Sequence, residues 1–160
     1  MTGSIALPLH PDLEPLAALI GRWKGEGRGV YPTIDDFTYQ EEVAFTHSGK
    51  PFLAYTQRTW ALDDGRPLHA EAGYFRPRPG GRVELVLAQP AGIVEVHEGT
   101  VSGGHLALAS TVVVRTPSAK EVAEVTRTLD VDGDTLRYVV EMAAMGKPLQ
   151  HHLAAELRRA

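Results

Sequence analysis

From residue 22 onward, short apolar and polar alternations are broken repeatedly by Gly, Pro and Asp, which is the pattern of strands joined by tight turns. Ten extended runs follow from it: 22–28, 37–47, 52–62, 68–76, 82–88, 93–101, 105–114, 122–131, 135–143 and 149–158. Their separators carry turn chemistry, among them Ser48-Gly49-Lys50-Pro51, Asp63-Asp64-Gly65, Pro79-Gly80-Gly81, Gly103-Gly104 and Asp132-Gly133-Asp134. Sequential hairpins of this kind predict an all-β fold, a ten-stranded antiparallel up-and-down meander that loses its exposed edges by closing into a β-barrel. Barrels of this size commonly hold one small ligand. Only the stretch before residue 22 differs. Leu13, Leu16, Ala17 and Ile20 recur at helical spacing with Pro15 in the first turn, predicting a one- or two-turn N-terminal helical segment that plugs one end.

Face assignment refines this picture. Phe37, Tyr39, Val43 and Phe45 share one parity against Thr38, Gln40, Glu42 and Thr46, with Glu41 as an intruder on the apolar side. Val112-Val113-Val114 is apolar on both faces, which predicts an outer cover, supplied by the N-terminal segment or by a second copy of the chain in a homodimer. In Gly21-Arg22-Trp23-Lys24-Gly25-Glu26-Gly27, alternate glycines permit close approach and the Trp supplies one large plug, as in lipocalin-like and fatty-acid-binding barrels that close their base this way. No strand-to-helix transition follows, so it is not a phosphate-cradling loop.

Composition narrows the function classes. A chain of 160 residues fits one domain, 1–160, with its own core. A net charge of -4 without any Lys/Arg block offers nothing to nucleic acid or an anionic membrane, leaving small molecules or proteins as partners. Cysteine is absent, which excludes disulfides, thiolate catalysis and Cys-ligated zinc or iron–sulfur clusters, and fits a reducing, cytoplasmic location. Met1 to Pro8 lacks a basic, apolar leader, and no run is long enough to span a bilayer.

Candidate chemistry is sparse. No G-x-S-x-G turn occurs, and the adjacent carboxylates Asp35-Asp36, Glu41-Glu42 and Asp63-Asp64 diverge on extended chain. Met142 and Met145 fill core or line a flexible apolar pocket. His10, His69, His97 and His105 stand alone in polar or turn contexts and read as solvated or locally bonded side chains, and His47 as a turn-side hydrogen-bonding residue. The pair His151-His152 is different. Neighbours on a strand project to opposite faces, so at most one of the two rings points inward, and the two cannot chelate one metal. No further ligand stands at metal-site spacing, so a metal here would arrive inside a cofactor.

The glycine-tryptophan motif, the following Tyr31-Pro32-Thr33 and the closing Gln150-His151-His152-Leu153 together resemble the nitrobindins, haem-binding β-barrel proteins assigned as peroxynitrite isomerases. The resemblance runs from about Leu16 to Arg158. It implies one ferric haem b per chain near the barrel mouth, with peroxynitrite and nitric oxide as small-molecule ligands and nitrate as product. The family's proximal His is the one directly followed by Leu, which corresponds to His152 and turns His151 away from the iron. It further implies a haem contact at Thr33 and a propionate contact at Lys120 in the Pro117-Ser118-Ala119-Lys120 loop. The rival reading is a non-enzymatic carrier of a lipid or other apolar molecule, for which Arg58 or Arg127 would be the interior basic residue. A third is an interaction domain that has lost haem.

Overall fold

The computed structural model describes residues 6–160. Ten strands form a closed antiparallel barrel in which each pairs with its sequence neighbours and the last closes on the first. They are β1 (Gly21–Tyr31), β2 (Ile34–Thr46), β3 (Leu53–Ala61), β4 (Pro67–Arg78), β5 (Arg82–Gln89), β6 (Ile93–Ser102), β7 (His105–Arg115), β8 (Val122–Asp132), β9 (Thr135–Ala144) and β10 (Gln150–Arg159). The expected meander is therefore the observed one, with strand ends shifted by a few residues.

The N-terminal segment departs in kind. It is a 3₁₀ helix over Pro11–Leu19, with Pro15 inside it, and its buried residues are Leu13, Leu16 and Leu19. Three residues per turn put every third side chain on one face, so Leu19 replaces the Ala17 and Ile20 that an α-helical period would choose. All three leucines are fully buried, each worth about 1.5–3 kcal/mol of apolar burial. They close one end of the barrel over Trp23, Phe45, Leu53, Phe75 and Leu85. Trp23 is wholly buried, yet its indole N–H is satisfied by the Leu19 carbonyl at 2.8 Å. The Arg159 guanidinium lies 4.2 Å from the Trp23 ring centroid and donates to the Ala18 and Ile20 carbonyls, tying the last strand to the end of the plug.

The glycines of β1 act through size. Gly27 pairs with Tyr39 on β2 and with Ala155 on β10, and Ala155 pairs with Tyr138 on β9. The four residues form one row across four strands. With small side chains in the middle, the two outer rings lie over them and their hydroxyls meet at 2.7 Å. A Cβ at Gly27 would collide with the Tyr39 ring, and one at Gly29 with Phe37.

The outer valines are not covered by the N-terminal segment. Val112 is 49% and Val114 55% exposed, and with Tyr74, Val86 and Val94 they make an outward apolar stripe over β4 to β7. No helix among the described residues is long and apolar enough to cross a membrane.

Candidate functional site

At the end of the barrel opposite the plug lies a cavity of about 640 Å³, within the roughly 300–1,000 Å³ range of small-molecule and cofactor sites. His152 opens onto it. Counting inward positions back from Leu157 through Ala155 and Leu153 would aim His151 inward, but β10 carries a bulge against β9 between His151 and Leu153. The unpaired residue of that bulge is His152, so His152 and Leu153 both line the cavity while His151 is exposed. A second irregularity sits beside it, between Gly29 and Tyr31 of β1, leaving Val30 out of register. The two displaced residues bond to each other: His152 Nδ1–H donates to the Val30 carbonyl at 3.0 Å.

This bond fixes the tautomer. With its proton on Nδ1, His152 keeps the Nε2 lone pair, for which no protein partner occurs among the described residues. Burial pushes its pKa below the ordinary 6.5 despite the Val30 bond, so the ring is neutral at physiological pH. Tyr31 meets the imidazole edge-on, with centroids 5.3 Å apart. Its hydroxyl is itself pinned, accepting from Ala144 N–H at 2.7 Å and lying 3.2 Å from the Met142 and Ala144 carbonyls. The imidazole is thus oriented from two sides by groups that are themselves fixed.

Of the other residues singled out in the sequence, Lys120 is exposed and lines the cavity from the rim. Thr33 sits exposed in the β1–β2 turn and is not part of the lining, although the next residue, Ile34, is. Met142 lines the cavity and Met145 does not; Met145 is 48% exposed in a turn. Ile34 and Leu68 give the mouth an apolar rim.

The cavity floor is polar, which the alternation pattern signalled only through Glu41. Arg127 reaches from β8 across the lumen, donating to both Glu71 oxygens at 2.6 and 3.1 Å and to Glu95 at 3.1 Å. Burial alone would raise the pKa of both carboxyls, but the guanidinium beside them outweighs it and holds them low, and they in turn hold Arg127 charged. Tyr55 donates to Glu71 at 2.7 Å and Gln89 to Glu95 at 2.6 Å. His97, expected to be a solvated or locally bonded histidine, is locally bonded, 2.8 Å from Glu95 two residues away, but wholly buried rather than solvated. His69 also turns inward, its Nε2 lying 3.4 Å from Glu71. Arg58 points outward, 3.0 Å from Glu42.

Comparison with known proteins identifies the family of the barrel. Residues 12–159 match the model of the THAP4-like, heme-binding beta-barrel domain. A Mycolicibacterium paratuberculosis protein named peroxynitrite isomerase 1 is 56% identical over 155 residues, 94% of this chain and 96% of its own length. A Nocardia farcinica peroxynitrite isomerase is 52% identical over 159 residues, 96% of this chain and 94% of its own. The crystal structure of Rv2717c from M. tuberculosis superposes with a TM-score of 0.90 at 49% identity, covering 96% of this chain and 99% of that one. With that match spanning nearly the whole barrel, the chain belongs to the THAP4-like haem-binding β-barrel family.

Proposed function

We infer that this protein is a haem-dependent peroxynitrite isomerase, holding one ferric haem b per chain by His152 and able to bind nitric oxide. The observation that carries this is the His152 ring, whose Nδ1 is committed to Val30 and whose Nε2 is left for a metal at the cavity wall. Iron in the bound haem supplies Lewis acidity toward the peroxide of peroxynitrite. The protein's own contribution is positional. Burial keeps the imidazole neutral and Val30 and Tyr31 keep it aimed, while Leu153, Val140 and Met142 give the cavity an apolar wall beside it. Lys120 at the rim suits a propionate, and Thr33 is near enough in sequence to the lining residue Ile34 to meet the haem edge. Peroxynitrite and nitrate are isomers, so neither a co-substrate nor a net proton is needed.

The carrier reading loses its main support at Arg127. This residue does point into the barrel, but its charge is met by Glu71 and Glu95, which leaves it no net charge to offer a fatty-acid carboxylate. A cytoplasmic location is proposed from the cysteine-free sequence. We also assign the exposed valine stripe to a homodimer contact, because its apolar side chains face outward side by side on four adjacent strands.

An absorption spectrum after haem reconstitution tests the ligand. A Soret band in the wild type and in His151→Ala that disappears in His152→Ala is expected. Equal loss in both variants, or no band in the wild type, would overturn the assignment.

A further inference from the structure

The proposed reaction makes no use of the cavity floor, and the floor is not chemically complete. Glu41 is 1% and Gln57 5% exposed, and both line the cavity. They are neighbours: Gln57 Nε2 donates to Glu41 Oε2 at 2.6 Å. Each has a second oxygen, Glu41 Oε1 and Gln57 Oε1, that is buried without a hydrogen-bond partner. A buried acceptor left unpaired costs about 1–3 kcal/mol, so two side by side ask for a donor.

The charges around them say which kind. Three carboxyls, Glu41, Glu71 and Glu95, stand against a single guanidinium, Arg127, so the floor is net acidic once they are ionised. The oxygens of Glu71 and Glu95 are taken up by Arg127, Tyr55, Gln89 and His97, so the carboxyl with an oxygen left to offer is Glu41. An anion or a fatty-acid carboxylate is repelled here. A metal ion is poorly served, because no group of three His, Asp or Glu among the described residues could hold one. Arg127 Nε, also unpartnered, is a donor and asks only for a neutral oxygen.

We propose that the floor of the barrel is a second binding site, beneath the haem-facing wall, for a small organic cation bearing N–H donors, an amidinium or primary ammonium, received by Glu41 Oε1 and Gln57 Oε1. Two neighbouring acceptors match two N–H groups on one planar cation, and the packed apolar core lies below them. The groups facing Glu41 are Gln57 on β3, Tyr39 on β2, Tyr138 on β9, and Glu71 and His69 on β4. In the empty site, burial pushes the Glu41 carboxyl up to about 7, so a bound cation displaces its proton and binding strengthens as pH rises toward 8.

The test uses the full chain, before and after haem reconstitution, titrated with acetamidinium at pH 8 while the Gln57 side-chain amide resonances and the heat of binding are followed. Saturable binding is expected, weakened about tenfold or more in Glu41→Gln and in Gln57→Leu. Binding should be unchanged in His152→Ala, which separates this site from the haem ligand. Tetramethylammonium has the same charge and no N–H, and is expected not to bind. Equal affinity in Glu41→Gln, equal binding of tetramethylammonium, or a long-lived water at Glu41 Oε1 with no acetamidinium binding to either form would overturn the proposal.

Discussion

The two halves of the barrel interior are built on opposite principles. At the plugged end, Trp23, Phe45, Phe75 and the leucines of the 3₁₀ helix are packed without exposure, and the one polar atom among the largest of them, the indole nitrogen, is hydrogen-bonded. Toward the mouth, the lumen widens into a cavity whose floor holds ionised and unpartnered groups. The first half stabilises the fold; the second carries polar groups that burial disfavours and holds an imidazole at the cavity wall. What separates the halves is Arg127, a strut from β8 to β4 and β6.

The largest effect on stability is expected at the plugged end. Trp23→Ala removes the largest buried side chain and should lower stability by about 3–5 kcal/mol, read as a fall in the urea midpoint, while haem binding persists in the fraction that stays folded. Arg127→Met removes the strut and leaves Glu71 and Glu95 buried without a cation, at a similar cost of about 3–5 kcal/mol. It differs from Trp23→Ala in its pH signature. In the wild type, the depressed Glu71 and Glu95 pKa values contribute stability that is present above the ordinary 4.5 and lost as pH falls through the folded values. That loss on acidification should vanish in Arg127→Met, and an unaltered acid limb in urea titrations would refute the strut's role.

Glu41→Gln should act with the opposite sign. The unfolded chain ionises Glu41 near 4.5 and the folded one only near 7, so this residue increasingly favours the unfolded state as pH rises between those values. Without added cation, the variant should gain on the wild type across that window by at most about 3 kcal/mol, and then hold level to pH 8. Urea midpoints at pH 4.5 and 8 give the difference. The smallest effect belongs to the outer surface: Val114→Lys should change monomer stability by no more than about 0.5 kcal/mol yet abolish any dimer seen by sedimentation of the wild type.

Much of the plugged half was legible in the sequence, because apolar alternation and a lone Trp leave few alternatives. The segment before β1 was legible as a plug but not as a 3₁₀ helix, since Leu13 and Leu16 satisfy both periods and only Leu19 decides. The open half was harder. Alternation narrows His151-His152 to one inward ring, but the choice rests on a bulge, and strict parity counted from Leu157 picks the wrong ring. The family motif, a His followed by Leu, carries that information where hydrophobic pattern cannot. The polar floor was missed because its members lie on different strands, and a single charged residue within a strand reads as an irregularity. Glu41 was visible as such; Glu71, Glu95 and Arg127 become a unit only after closure brings β4, β6 and β8 to face one another.

The row Tyr39, Gly27, Ala155, Tyr138 bears on how such a barrel can evolve. Its two tyrosines occupy the volume that two small residues give up, so neither half of the arrangement can drift alone. A larger side chain at 27 or 155 is admissible only where one of the rings has been shortened, and a shorter ring leaves a void unless a small residue grows. Across relatives these four positions should therefore covary. The last glycine of the β1 motif is, in that sense, the imprint of an aromatic ring carried on the neighbouring strand.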